Sequence, residues 1–210
     1  MAIRAKGWRV HVWTLAALIA VSASATAMAE GEGEVHHHKD RENHVIAGFG
    51  LEMAYPFGGG SGDLLHTGSG ANVHVGYEVD QGAIGVGVEV IGSYLYFPSA
   101  FRGVQEEDVD LKRLMLGVTT GYDLPLFDEQ ALIFSVYGRI GAGFLNASTV
   151  GKGGQSDTGF AFEAGVAITY QIVEQLGVGI QGGYGQVQAQ YRDQDNVHWG
   201  LTELHFSVGF

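Results

Sequence analysis

Residues 201–210 read LTELHFSVGF, and their alternation decides the fold. Leu204, Phe206, Val208 and Phe210 share one parity, whereas Glu203, His205, Ser207 and Gly209 share the other. Apolar residues at every second position mark a β-strand with one apolar face. Chain ends are usually polar and loosely ordered. An aromatic residue at position 210 predicts instead a strand that remains structured up to Phe210.

The same period runs back through the chain. Alternating runs fall at about 44–56, 71–80, 83–97, 109–123, 131–145, 158–172, 176–191 and 198–210, and no stretch keeps a helical period. In the first run Val45, Ala47, Phe49, Leu51, Met53 and Tyr55 oppose Gly48, Gly50 and Glu52. In the sixth, Phe160, Phe162, Ala164, Val166, Ile168 and Tyr170 oppose Glu163, Gly165, Thr169 and Gln171. Strands of soluble sheets usually hold about five or six residues, whereas a tilted strand crossing a bilayer needs about 9–11. Connections alternate as well. DQG, LPLFDEQ and VEQ are the shorter ones; FGGGSGDLLHTGSG, PSAFRGVQEED and NASTVGKGGQSD are longer, and RDQDNV is intermediate. Eight such runs predict an all-β chain, an eight-stranded antiparallel up-and-down transmembrane barrel with its short turns on one side.

Alternation alone does not say which face is inside. A lipocalin-type barrel also has eight strands and turns its apolar face inward. Three features favour the membrane arrangement. The less apolar face is mostly Gly, Ser, Thr and Ala, a poor surface for water but a good fit to a narrow lumen. Aromatic residues gather near run ends: Tyr55, Phe57, Tyr77, Tyr94, Tyr96, Phe97, Tyr122, Phe127, Phe144, Tyr170 and Tyr191. Rings at strand ends suit the two membrane interfaces. The third feature is Phe210.

The pattern Leu204, Phe206, Val208, Phe210 resembles the assembly signal of bacterial outer-membrane barrels, and the whole chain after the leader resembles their small eight-stranded OmpA/OmpX-like type, a porin-like barrel domain. That resemblance implies recognition of the final strand by periplasmic chaperones and the barrel-assembly machinery. It also implies outer-membrane lipid and lipopolysaccharide as surroundings. Some relatives carry a peptidoglycan-binding domain after the barrel, and the expectation here is a barrel without it.

Residues 1–29 read as a cleaved secretory signal peptide. Arg4, Lys6 and Arg9 precede the short apolar run VWTLAALIAV, and Ala27-Met28-Ala29 stands before Glu30. Residues 30–43 read as a flexible periplasmic segment and residues 44–210 as the barrel. The leader takes 3 of 11 basic side chains and none of 23 acidic ones, which leaves a net charge of −15. So acidic a chain excludes nucleic acid as a partner. Without cysteine there is no disulfide framework, thiolate chemistry or lipoprotein-type acylation.

Turning the apolar face to lipid places Glu52, Glu78, Glu89, Arg113, Arg139, Glu163 and Glu203 in the lumen, with His74 and His205. Charges taken from water need partners. The set is read as a structural ion-pair plug, with a gated path for protons or small ions as the sharper alternative.

Other motifs carry less. GVGIQG at 177–182 has dinucleotide-loop spacing but lies inside an alternating run with no helix after it. GKGGQS at 151–156 lacks Ser or Thr after Lys152, and Asn146-Ala147-Ser148 is an incidental sequon. Glu203, His205 and Ser207 echo a lipid A deacylase, but their parity points them into the lumen. His36-His37-His38 and the acidic stretches VQEEDVD and DQDN are candidate weak cation sites, read as solvated segments. No catalytic, cofactor or metal site is assigned. The expectation is a monomeric, non-enzymatic outer-membrane protein with a structural or surface-interaction role. A narrow pore and a lipid A-modifying enzyme are the alternatives.

Overall fold

A strand with one apolar face and one face of small or polar residues can close on itself with the small face inward. In the computed structural model, which describes residues 43–57, 65–81, 83–98, 107–127, 130–149, 152–173, 175–189 and 196–210, eight strands do so. They are β1 (His44–Pro56), β2 (Gly68–Gln81), β3 (Ile84–Phe97), β4 (Glu107–Phe127), β5 (Gln130–Thr149), β6 (Lys152–Val173), β7 (Leu176–Gln188) and β8 (Val197–Gly209). Each pairs antiparallel with its chain neighbours, and β8 returns to β1. Closure pairs the backbone along the whole ring and leaves no open edge, as a strand crossing lipid requires.

The register fixes the tilt. A row of partners from Leu51 reaches β6 at Ile168 through β8 and β7, but at Thr158 through β2, β3, β4 and β5. The ten-residue offset is the shear, which for eight strands tilts them by about 40° from the axis.

The parity read from the sequence sets the wall. Val73, Leu116 and Ile180 are 64%, 64% and 60% exposed, and Leu51, Val88, Val166 and Leu204 share this outer face. Rings stand toward both strand ends: Tyr55, Tyr94 and Phe144 at one, Tyr77, Tyr122 and Phe134 at the other. Phe206 stacks on Phe49 across the closing seam, with centroids 4.9 Å apart. Val45 N–H donates to Phe210 C=O at 3.1 Å and Phe210 N–H to Val45 C=O at 2.9 Å, so the ladder runs to the last residue.

Two expectations are corrected. Phe97 is not a girdle ring; its parity turns it inward, where it is fully buried. The stretches LPLFDEQ and NASTVGKGGQSD are largely strand, because β4 runs to Phe127, β5 starts at Gln130 and reaches Thr149, and β6 starts at Lys152. In NASTVGKGGQSD backbone pairing such as Asn146 with Ser156 continues while the side chains are polar, and in LPLFDEQ it continues through residues apolar on both parities, with a register shift between Pro125 and Phe127. The hydrophobic alternation therefore stops before the ladder does. The leader, residues 30–42 with His36-His37-His38, Val104–Glu106 of the acidic stretch, Gly151, Tyr191 and Asp193–Asp195 lie outside the described residues.

Neighbouring residues on β4 test the facing. Leu116→Arg is expected to destabilise the barrel by about 2–4 kcal/mol if the site lies at the bilayer midplane. Denaturant titration in lipid vesicles measures it, and unchanged stability places that face in water. Gly117→Leu acts inside, because a Cβ there lies 2.8 Å from Glu89 Cγ and 3.0 Å from Arg139 Cγ.

Candidate functional site

The inward positions form three levels along the barrel axis. The middle level is charged. Arg113 on β4 reaches Glu52 on β1 with Nη2, Glu163 on β6 with Nη1, and Ser93 on β3 with Nε at 2.7 Å. Arg139 on β5 donates from Nε to Glu89 at 2.9 Å, from Nη1 to Glu163 at 2.7 Å, and from Nη2 to Gln181 at 3.5 Å. Asn72 Nδ2 donates to the second oxygen of Glu52 at 2.7 Å. Gln181 Nε2 donates to Glu203. Every strand but β7 contributes a charged side chain or Asn72 to this level, and β7 contributes Gln181.

Glu163 is the shared member. Its Oε2 accepts from Arg113 and its Oε1 from Arg139, and its side chain is 1% exposed. Each guanidinium also lies over a ring: Arg113 over Trp199 at 5.4 Å and Arg139 over Tyr137 at 4.3 Å. These contacts hold the planar cations on their faces while carboxylates bind their edges. The ladder provides the room. Arg113 is registered opposite Gly143, and Arg139 opposite Gly117.

Toward the ends of β1, β3, β5 and β7 the lumen is apolar. Leu95, Phe97, Leu111, Leu145, Val187 and Trp199 form one buried cluster there. Gly185 is registered opposite Trp199, and a Cβ on it falls 2.2 Å from the indole. Toward the end that holds residues 43 and 210 the lumen is polar and less full. A cavity of about 160 Å³ is lined by His74, Glu89, Tyr137, Thr169, His205 and Ser207, among others, and reaches the rim at Gln175 and Gly209.

The predicted lumen residues are placed as follows. Glu52, Glu89, Arg113, Arg139 and Glu163 are joined by direct ion pairs. Glu203 is buried beside them and bonded to Gln181. Glu78 is inward but stands lower, at the wall of the cavity, and neither arginine bonds to it in the described structure. His205 bonds through Nε2 to Thr169 Oγ1 at 2.8 Å, deep in the lumen, and Ser207 lines the cavity below. Neither faces lipid. GVGIQG is strand throughout, part of β7. No group of three or more His, Cys, Asp or Glu able to hold a metal occurs among the described residues. Leu204, Val208 and Phe210 are exposed on the outer wall, with Phe206 between them.

Sequence reasoning missed Gln181, Asn72 and Ser93, which bond the charged side chains, and the whole apolar level. A signal for the latter was present. Leu95, Phe97, Leu111 and Trp199 each break the small-residue rule on the inward parity of their own strands.

The sequence pattern of the outer membrane protein beta-barrel domain matches residues 13–210. No curated protein matches the chain. Among solved structures, Neisserial surface protein A is 13% identical, with a TM-score of 0.46 over 80% of this chain and 97% of that one. The attachment invasion locus protein Ail of Yersinia pestis is 22% identical, with a TM-score of 0.40 over 81% and 100%. The N-terminal β-barrel domain of OprF from Pseudomonas aeruginosa is 13% identical, with a TM-score of 0.40 over 79% and 97%. The match across residues 13–210 and the closed eight-stranded barrel agree, and the chain belongs to the outer membrane protein beta-barrel domain family.

Proposed function

We propose that this chain is a non-enzymatic integral outer-membrane protein with a closed lumen, acting as a structural element or as a carrier of surface loops. One observation carries the reading: the lumen is filled at mid-height by the Arg113–Glu163–Arg139 network and beyond it by the Phe97–Trp199 cluster. Passage of an ion requires separating a buried pair and then crossing an apolar layer. Both steps remove charge from favourable partners. In this reading a leader of residues 1–29 is cleaved in a Gram-negative cell, and residues 43 and 210 face the periplasm. The hairpins β1–β2, β3–β4, β5–β6 and β7–β8 then face outward. The protein is a monomer among outer-membrane lipids and lipopolysaccharide, delivered by the barrel-assembly machinery.

Planar-bilayer recording tests the closed lumen. Little or no conductance is expected at neutral pH. Arg113→Ala with Arg139→Ala leaves Glu52, Glu89 and Glu163 without their guanidinium partners. Removing one side of a buried pair typically costs about 3–5 kcal/mol. The double variant should admit water and conduct cations, or lose the heat-modifiable migration of a folded barrel. A large, stable, weakly selective conductance of the unmodified protein assigns it as a true pore. Altered lipid A masses after expression would assign it as an enzyme.

Phe210 is 77% exposed on the outer wall while its backbone is held by Val45. Phe210→Asp places a charge at that rim. Outer-membrane insertion is expected to fall while export continues, measured by cell fractionation. Normal insertion refutes the assembly role of the Leu204–Phe210 face.

A further inference from the structure

The outer wall of β6, β7, β8 and β1 departs from the rest. Elsewhere many exposed positions are aliphatic or aromatic, with a polar and charged group at Tyr94, Asp110 and Lys112 on β3 and β4. On β7 and β8 the outward positions 184, 186 and 198 are Tyr, Gln and His. They form one bonded cluster. Tyr184 Oη lies 2.7 Å from His198 Nδ1 and 3.1 Å from Gln186 Oε1, and Gln186 Nε2 donates to Asn196 Oδ1 at 3.1 Å. Phe57 stands beside Tyr184 with centroids 5.8 Å apart, and Tyr184 beside His198 at 6.1 Å. Gln186 is only 7% exposed, unusual for an amide on a membrane-facing wall. No Asp, Glu, Lys or Arg occupies an outward position of β7 or β8.

Next to this cluster, toward the middle of the wall, side chains are missing. A Cβ on Gly182 would meet only Leu201 C=O at 3.7 Å, and one on Gly200 only Phe57 Cε1 at 3.8 Å. Gly200 is registered with Tyr184 and with Tyr55, so the notch begins directly beside the polar cluster. From Gly182 it continues as an apolar groove between Val166, Ile168, Val178, Ile180 and Leu204. A polar head site joined to an apolar trough has the outline of one amphiphile.

We propose that this wall binds a glycolipid of the outer leaflet, its sugar at Phe57, Tyr184, Gln186 and His198 and an acyl chain along the Gly182–Gly200 notch. The assignment rests on the membrane orientation proposed above. Sugar is favoured over a phosphate head because the outward positions of β7 and β8 offer hydroxyl, amide and imidazole groups but no Lys or Arg. Such groups both donate and accept, as sugar hydroxyls do. The rings of Phe57 and Tyr184 match the apolar face of a pyranose. The glycines let the chain lie against backbone, where any larger residue would stand in its place.

Native mass spectrometry of the purified full-length barrel tests the site, with hexa-acylated lipid A titrated against phosphatidylethanolamine. Lipid A is expected to be retained about tenfold better. Gly182→Leu with Gly200→Leu, and separately Gln186→Leu with His198→Leu, should each weaken lipid A retention by about tenfold, with heat-modifiable migration kept. Tyr184→Phe removes a single hydroxyl and serves as the milder variant if either pair fails to fold. Lipid A stripped of its phosphates should bind as well as the intact molecule. Equal retention of the two lipids, unchanged retention in the folded variants, or loss of binding with the phosphates each overturns the proposal. None of these readouts depends on conduction, so the closed-lumen reading stands or falls separately.

Discussion

One carboxylate holds the interior together. Glu163 accepts from Arg113 with one oxygen and from Arg139 with the other, deep inside a barrel too narrow to hydrate three charges. A buried charge is tolerated when it is paired and its remaining hydrogen-bonding groups are satisfied. Each guanidinium therefore has further acceptors: Glu52 and Ser93 for Arg113, Glu89 and Gln181 for Arg139. The chain is drawn together at mid-height, because these groups come from β1, β3, β4, β5, β6 and β7. Lipid outside offers no comparable pull between strands, since tails and aliphatic side chains are equally apolar.

That network dictates the glycines around it. Arg113 and Arg139 lie on adjacent strands, each registered opposite a glycine of the other strand, Gly143 and Gly117. A Cβ on Gly50 would fall 2.0 Å from Glu203 Oε1. Large inward residues are matched by absent ones, which is how eight strands enclose arginines and a tryptophan at once. The high glycine content is thus a packing requirement of the lumen, concentrated on the inward parity, with Gly92, Gly138, Gly182 and Gly200 among the outward exceptions.

Strand number, closure and the facing of nearly every residue were legible in the sequence, because a two-residue period admits only two faces and aromatic residues mark the strand ends. The lumen charges were legible by the same parity. Their partners were not. Whether Glu78 or Glu203 stands near an arginine depends on register and shear, and these are set by all eight strands together. The facing ends of β5 and β6 were misread because polar residues carry no alternation while their backbone still pairs, and the end of β4 because Leu124, Pro125, Leu126 and Phe127 are apolar on both parities, with a proline and a register shift among them. Phe97 was misread because an aromatic residue near a strand end suits a membrane interface equally well. Only its parity, shared with Leu95 and Ser93, told otherwise.

The asymmetry of the lumen follows from the same electrostatics. Attraction between the paired charges grows as water is removed, and so does the penalty for any that lack a partner. The Phe97–Trp199 cluster lies directly above Arg113, with the indole over the guanidinium, and excludes water from that side. On the other side Glu89, His74 and His205 line a polar cavity that reaches the rim. Arg113 thus sits among the most enclosed partners, Glu52 and Glu163, whereas Arg139 shares Glu163 with the less buried Glu89. The two arginines are alike in the sequence pattern but unequal in the fold. The Arg139–Glu89 pair is therefore the more accessible half of the network, and the pairs of Arg113 are the more enclosed half.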